Sequence, residues 1–573
     1  MKQFFPILKW IPSYRKAYLK DDLVAGITVA ILLIPQGMAY ALIAGLPPIF
    51  GLYAALTPQI VYALMGTSRQ LSVGPVAMDS LLVAAGLGTL SLVSPDQYIQ
   101  MAILLALLMG AIQFLMGLLR MGFMVAFLSK PVINGFTSAA AIIIGLSQLK
   151  HLLGITIPQS NKLHHVIGSI LGSNTPVHLP TLAIGLAGIA VLLLIKKWNS
   201  KIPASLLVVI LGITWVYFSK QNENGVAVVG LIPEGLPVFN LPNLNWENIE
   251  LLFSTALTLA LVAFMEAISV AKAIEEKHKN YEVNPNQELI ALGASNIIGS
   301  LFQSYPTTGG FSRTAVNDQA GAKTGIAPLI SAAIIAVVLS FFTHWFFYLP
   351  KAILAAIIIV AIVNLINISY AIRLYKSAKD EFLILLFTFF LTLFIGITEG
   401  ILLGILLSLL LLVYRNSKPH FAFLGRIGTT NYFKNIHRFP DEVVTREDLV
   451  ILRFDAQLFF GNFQYFKQLV NEAVEKNPEK IKGFIINGRS INYIDSSAAE
   501  QLTELILSLQ KKGIRVMFVG AIGPARDVIL KSDIIKALKK QNLFITSGDA
   551  TDSFDGVCKK TPLQKKLSRQ RNS

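Results

Sequence analysis

The chain begins with a short mixed segment, then alternates long apolar runs with brief polar breaks as far as residue 413. Residues 102–119, 326–343, 352–366 and 382–413 are the clearest runs, and a helix needs about 20 apolar residues to cross a bilayer core. The pattern predicts 14 hydrophobic segments, some too short to cross whole. They begin near Leu23, Phe50, Pro75, Met101, Phe123, Thr181 and Ala204, then near Leu251, Glu288, Ser312, Ile326, Ala352, Phe382 and Ile401. Beyond residue 413 no such run recurs. Short apolar stretches at 449–454, 481–487 and 514–519 read as buried strands. Helical stretches at 462–475 and 496–511 alternate with them, the pattern of a small α/β domain. The change of character falls near residues 414–418.

Composition fits a largely lipid-facing chain: 54% of the 573 residues are hydrophobic and 14% charged, against about 25% charged in soluble proteins. The 49 Lys and Arg exceed the 33 Asp and Glu by 16. From Lys418 onward there are 25 basic and 16 acidic residues, a net of +9, leaving 24 and 17, a net of +7, before it. With the N-terminus in the cytoplasm, the inner loops hold Arg69, Arg120, Lys196, Lys197, Lys201, Lys272, Lys277, Lys279, Lys323, Arg373, Lys376 and Lys379. The outer loops hold Lys150, Lys162, Lys220 and Lys351. That 12-to-four bias obeys the positive-inside rule and favours an even number of crossings. The basic excess is thus mostly topology, and no nucleic-acid partner is expected. One cysteine, Cys558, excludes an internal disulfide and a Cys-rich metal site. Residues 1–20 lack the apolar run and small-residue site of a cleaved signal. The expected organisation is a cytoplasmic segment (1–21), a membrane domain (22–415), a cytoplasmic α/β domain (416–555) and a basic tail (556–573). The tail holds Lys559, Lys560, Lys565, Lys566, Arg569 and Arg571, and is read as solvated or touching anionic lipid.

Two stretches, Ser72-Val73-Gly74-Pro75-Val76-Ala77 and Thr307-Thr308-Gly309-Gly310-Phe311-Ser312-Arg313-Thr314, break apolar sequence at membrane depth. Lipid does not tolerate the backbone groups such breaks expose, so they belong where they line a polar cavity. Pro75 suits the first position of a new helix. Pro75 lies 53 residues after Asp22, and Phe311 lies 61 after Glu250. Interrupted segments at matching places in two halves point to an inverted-repeat transporter with a midplane site. Two helix N-termini facing one pocket favour an anion; loops capping hairpins would leave the same breaks.

Arg313 is the sharpest single residue, because a guanidinium in a membrane needs a cavity or a partner and its fork of donors suits an oxyanion. An inner-loop arginine that sets topology is the alternative. Ser312 offers a hydroxyl beside it. Glu266, inside Leu-Val-Ala-Phe-Met-Glu-Ala-Ile-Ser-Val-Ala, is an intramembrane carboxylate. It is open to a proton-carrying role, a place in a sodium site, or a structural pairing with a buried cation. Gln36 and Tyr40 are four apart and share a helical face; helix-packing polar residues have the same spacing.

Three stretches together resemble the SulP (sulfate permease) anion transporters. The first is Asp22-Leu23-Val24-Ala25-Gly26-Ile27-Thr28-Val29-Ala30 running into Ile34-Pro35-Gln36-Gly37-Met38-Ala39-Tyr40-Ala41. The second is Gly45-Leu46-Pro47-Pro48-Ile49-Phe50-Gly51-Leu52-Tyr53. The third is Asn286-Gln287-Glu288-Leu289-Ile290-Ala291-Leu292-Gly293, continuing through Gly299-Ser300-Leu301-Phe302-Gln303 to Phe311-Ser312-Arg313. The resemblance implies a polytopic α-helical membrane protein with 14 spans as 7+7 inverted repeats and half-helices at spans 3 and 10. It implies a core domain moving against a gate domain, usually in a homodimer. It places an anion between the half-helix N-termini, with contacts at Gln36, Tyr40, Pro75, Val76, Phe311, Ser312 and Arg313. Glu266 matches an acidic position on span 8 that bacterial and plant members associate with proton coupling. Animal exchangers lack an acid there, and cyanobacterial bicarbonate transporters have an aspartate nearby and use sodium.

The C-terminal part resembles the STAS domain that normally ends these proteins, with Tyr493-Ile494-Asp495-Ser496-Ser497-Ala498 as its local marker. In anti-sigma antagonists the matching segment carries a phosphorylated serine, which makes Ser496 and Ser497 regulatory candidates. Here Ala498 stands where those proteins usually have Gly, and Asp495 with Ser496 also makes an ordinary helix cap. The resulting expectation is a secondary active transporter, not an enzyme, needing no cofactor or metal. It would sit in the cell's inner (plasma) membrane and move an inorganic anion, sulfate first, by proton symport and alternating access. Sodium-coupled bicarbonate uptake, dicarboxylate uptake, chloride transport or exchange, and a membrane sensor signalling through the STAS domain are the alternatives.

Overall fold

The structure, a computed structural model, describes residues 4–88, 90, 94–123, 129–155, 176–198, 203–363 and 366–557. Cys558, Lys162, Lys201 and the basic residues of the tail lie outside the described residues. The chain divides into two compact units, Met1–Ser408 and Leu409–Ser573.

The first unit is helical. Its first half runs α1 (Lys16–Ile43), α2 (Pro48–Met65), α3 (Ala77–Gly88), α4 (Pro95–Leu118), α5 (Lys130–Leu153), α6 (Leu179–Trp198) and α7 (Ala204–Ser219). The second half runs α8 (Trp246–His278), α9 (Pro285–Leu301), α10 (Phe311–Gln319), α11 (Ile326–Phe341) and α12 (Lys351–Ile362), then α13 (Ile368–Ser377), α14 (Lys379–Phe394) and α15 (Ile397–Ser417). Six of these, α1, α2, α4, α5, α8 and α15, are long and apolar enough to cross a membrane. The sequence pattern misplaces the start of α5 at Phe123. The helix begins at Lys130, with Pro131 in its opening turn, where a missing N–H costs nothing. Helix α13 is a short amphipathic element in a stretch read from sequence as a basic loop; it buries Leu374 alone.

The helices pack as two bundles. In one, α4 lies along α9, while α1, α2 and α11 pack on one another and α8 packs on α3 and α4. In the other, α5 packs on α12 and α14, and α6 on α12. Membrane helices associate by close packing rather than by burying oil from water, so small residues mark the crossings. At the α1–α2 crossing, a Cβ on Gly51 would lie 1.9 Å from the Gly37 carbonyl oxygen. At the α4–α9 crossing, a Cβ on Gly293 would lie 2.5 Å from the Phe114 amide nitrogen. Gly37, Gly51 and Gly293 all fall in the three quoted stretches, which therefore encode helix contact.

Two buried carboxylates staple distant parts of the first bundle. Glu288, at the start of α9, accepts from the Tyr62 hydroxyl at 2.6 Å, the Thr67 amide at 2.7 Å, the Thr67 hydroxyl at 2.5 Å and the Ser68 amide at 3.2 Å. Asp22 of α1 accepts from the amides of Lys323 at 2.7 Å and Thr324 at 3.1 Å and from the Thr324 hydroxyl at 2.7 Å, fixing the entry to α11.

The first unit holds strands β1 (Val73–Gly74) and β2 (Thr308–Gly309), and in the second unit six strands form one sheet in the order β4-β3-β5-β6-β7-β8. They are β3 (Phe421–Arg426), β4 (Phe433–Asn435), β5 (Leu449–Phe454), β6 (Gly483–Asn487), β7 (Arg515–Val519) and β8 (Leu543–Phe544). Strands β5 to β8 pair in parallel, and β3 and β4 add an antiparallel edge. The helices α16 (Phe463–Glu475) and α17 (Ser496–Lys511) bury Phe463, Phe466, Leu502 and Ile506 against it. Sequence periodicity finds the three central strands, because their apolar runs are continuous, and misses β3, β4 and β8.

Candidate functional site

The two membrane-depth breaks meet. Strands β1 (Val73–Gly74) and β2 (Thr308–Gly309) pair antiparallel, Val73 opposite Gly309 and Gly74 opposite Thr308. The Gly310 amide adds a bond to the Ser72 carbonyl at 3.1 Å, and the Ser72 amide donates to Thr314 Oγ1 at 3.1 Å. Immediately after each strand a short helix starts, α3 from the first and α10 from the second. The ribbon thereby brings the two helix N-termini, with their free amides, to one place. Side chains hold it from behind. Asn296 of α9 accepts from the Thr307 amide at 2.8 Å and donates to the Thr307 carbonyl at 3.0 Å, and Thr308 Oγ1 donates to the Ala263 carbonyl of α8 at 2.6 Å.

A cavity of about 730 Å³ opens at this junction. Its wall includes Gln36 and Tyr40 of α1, Val76, Glu266 of α8, and Phe311, Ser312 and Arg313 of α10. Pro75 is not in the wall. Helix α3 begins two residues later, at Ala77, with the Val76 carbonyl accepting its first bond from Ser80 at 2.9 Å. Pro75 thus precedes the helix rather than opening it, and its carbonyl accepts from Arg313 Nη1.

Arg313 is 1% exposed. Beyond the bond to Pro75, its Nε and Nη2 have no partner among the described residues. The guanidinium lies close to two glycines: a Cβ on Gly310 would come within 3.0 Å of Nη2, and one on Gly74 within 3.4 Å. Glu266 Oε2 and Gln36 Oε1 are also buried without a partner. A buried polar atom without a hydrogen bond costs free energy; the two unpaired Arg313 donors beside a helix end have the chemistry of an anion cradle, while the unpaired Glu266 and Gln36 oxygens are acceptors that a proton or another donor would satisfy.

Sequence reasoning missed three polar lining residues and one acid. Asn134 and Thr137 on α5 and Ser205 on α7 also line the cavity; the first two are three residues apart and share a helical face. Asp79, in the first turn of α3, is fully buried with both oxygens unpaired. Its signal was available, an acid inside the apolar run Ala77-Met78-Asp79-Ser80-Leu81, the same signal that singles out Glu266.

In the second unit Asp495 caps α17, its carboxylate accepting from the Ala498 amide at 2.7 Å, while Ser496 and Ser497 stand exposed in the first turn. Nearby, Asp455 accepts from Arg453 Nε at 2.7 Å and Nη2 at 2.8 Å and from Ser490 Oγ at 3.1 Å, and bonds His420 Nδ1 at 2.8 Å. Burial acts to raise the Asp455 carboxyl, but the bonds from Arg453 and His420 override it and hold it below the usual carboxylate range.

The sulfate permease family matches residues 19–388, and the STAS domain matches residues 442–550. Sulfate transporter 4.1, chloroplastic, of Arabidopsis thaliana is 39% identical over 567 residues, covering 95% of this chain and 82% of that protein. High affinity sulfate transporter 1 of Stylosanthes hamata is 32% identical over 577 residues, covering 97% and 86%. A solved structure of SLC26A9 superposes with a TM-score of 0.90 at 25% identity, covering 97% of this chain and 93% of that one.

Proposed function

The chain belongs to the sulfate permease family of anion transporters, and from that premise we propose that it takes up sulfate by proton symport. In this reading it works as a homodimer with seven-plus-seven spans, in the cell's inner (plasma) membrane, with the STAS domain in the cytoplasm. The observation that carries it is Arg313, a fully buried guanidinium with two unpaired donors in the wall of a cavity where two helices start. The site contacts are Gln36, Tyr40, Val76, Phe311, Ser312 and Arg313, with Pro75 acting through its carbonyl. Glu266, in the same wall, is the coupling acid: its protonation from outside reduces repulsion of the incoming dianion. Loss of both ligands to the cytoplasm resets the carrier.

Alternating access fits the way the cavity is built. One wall belongs to the bundle of α1, α3, α8 and α10, the other to α5, α7 and α12. Sliding one bundle against the other turns the mouth without dismantling the ribbon. Ser496 and Ser497 are the exposed hydroxyls through which a kinase would act on the STAS domain.

The test is uptake into proteoliposomes of sulfate, bicarbonate, chloride and a dicarboxylate, with proton and sodium gradients imposed separately. Sulfate uptake driven by an inward proton gradient is expected, with that dependence lost in Glu266→Gln. Sodium-driven bicarbonate uptake, or chloride exchange indifferent to pH, would replace the reading. A chain that never passes labelled anion would be a sensor.

A further inference from the structure

Helix α3 carries an acid that the anion site leaves unused. Asp79 is the third residue of the half-helix and is 0% exposed. An acid there ordinarily reaches back to the amide that precedes its helix, yet neither Asp79 oxygen has a partner among the described residues. It is therefore not a cap. It is also absent from the cavity wall, so it does not face the anion directly. Helices α8 and α1 pack on α3, as do α4 and α5. On α8, Glu266 shares the cavity wall with Ala77 and Met78, the two residues just before Asp79. Tyr305, ahead of β2, shares a hydrogen bond of 3.0 Å with Ser80, next to Asp79, while Tyr40 of α1 and Arg313 of α10 stand in the cavity wall. Residues 97–118 of α4 and 131–149 of α5 include no Asp, Glu, Lys, Arg or His. The site thus holds two acids and one base, and only Glu266 of the two acids opens on the cavity.

An unpaired carboxylate at membrane depth is costly unless it is neutralised. Building on the proton-symport reading, we propose that Asp79 and Glu266 form a two-proton store, so that each sulfate enters with two protons. A proton from outside neutralises Glu266, passes to Asp79, and a second proton then neutralises Glu266; both leave with sulfate to the cytoplasm. The charges decide between one proton and two. Empty, with both acids ionised, Asp79, Glu266 and Arg313 sum to −1. Loaded with two protons and the dianion they again sum to −1, whereas one proton would leave −2. Only the two-proton cycle keeps the charge of the moving site constant, and an added charge in a low-dielectric interior is among the costliest changes a protein makes.

The experiment measures how far the full-length protein in proteoliposomes accumulates labelled sulfate at equilibrium, against the imposed pH gradient, with the membrane potential clamped by valinomycin and potassium. Two protons per sulfate give about a 100-fold rise in accumulation ratio per pH unit, and one gives about tenfold. Wild type should show the steeper slope and no dependence on potential. Asp79→Asn should fall to the shallower slope and become potential-dependent, because one net negative charge now enters. Asp79→Glu should restore the two-proton behaviour. A wild-type slope of about tenfold per pH unit overturns the two-proton store while leaving symport intact, and this outcome needs no variant to fold. An Asp79→Asn protein that keeps the steep slope overturns it as well. Wild-type uptake that follows sodium and ignores the pH gradient removes the symport reading itself.

Discussion

Replacing Arg313 by alanine removes the donors that the cavity leaves free. Nε and Nη2 are the two unpaired groups, and a charge-assisted hydrogen bond contributes about 1.5–3 kcal/mol. Together they amount to about 3–6 kcal/mol, or about 10²- to 10⁴-fold in the sulfate dissociation constant. Arg313→Lys separates charge from geometry. Lysine keeps the positive charge but has no planar fork, so about one of the two bonds is lost, and the affinity falls by about 10- to 10²-fold. Stability of the anion-free protein should move much less. Removal orphans the Pro75 carbonyl that Nη1 now serves, at about 1–3 kcal/mol, while the desolvation of a buried cation disappears. Calorimetric titration of the purified protein in detergent gives the dissociation constants, and thermal melting without sulfate gives the stability. The site assignment fails if Arg313→Ala binds sulfate within about threefold of wild type. It also fails if the alanine variant binds no more weakly than the lysine variant.

Three further outcomes follow from the packing. Glu288→Gln, which cannot accept from four donors at once, should lower the melting temperature, at about 1–3 kcal/mol for each donor left unpaired; an unchanged melting curve would show the staple to be idle. Gly51→Ala forces a methyl group onto the Gly37 carbonyl at 1.9 Å, an obstacle made of backbone rather than a flexible side chain, and should abolish monodisperse protein on size-exclusion chromatography. Asp455 is held below its unfolded value, so its contribution to STAS stability is present above about pH 3.9 and is lost as pH falls through the folded value. Hydrogen exchange at β5 should accelerate below about pH 4, and Asp455→Asn should remove that part of the pH dependence.

How much was legible beforehand depended on how far apart the partners lie. Charges out of place in an apolar run are local signals, so Arg313 and Glu266 stand out in the bare sequence, and Gly-Pro breaks mark where helices stop. Helix α17 is readable to its ends because Asp495 caps it and its apolar spacing is regular. The pairing of β1 with β2 is different. Two residues per strand carry no periodicity, and the partners lie more than two hundred residues apart in the chain. Glu288 was visible only as part of a familiar stretch; its purpose, gathering Thr67 and Ser68 from across the bundle, is a property of the fold. Asp79 carries the same local signal as Glu266, an acid inside an apolar run, but it sits directly behind a Gly-Pro break that marks the segment as a helix start, where an acid is ordinary. Strand β4 escaped because its three residues, Phe433-Lys434-Asn435, carry too little apolar pattern to read, and β3 because its apolar stretch is short and stands beside the basic residues that follow the last membrane helix.

The ribbon also sets a timetable for biosynthesis. Val73 and Gly309 are 236 positions apart (309 − 73), and translation at about 5–20 residues per second takes about 10–50 s to cover that distance. Throughout that interval the nascent first half holds an unpaired strand, a half-helix start and a buried aspartate with nothing opposite them. The anion site cannot mature piecemeal as the helices insert. It waits for residues 308–313 to reach the first strand, and a ribosome that stalls earlier leaves a fragment without the ribbon and without α11, α12 and α14, on which α1, α2, α5 and α6 pack. Mutations at Asn296 and Thr308, which hold the ribbon from behind, should act on yield before they act on transport.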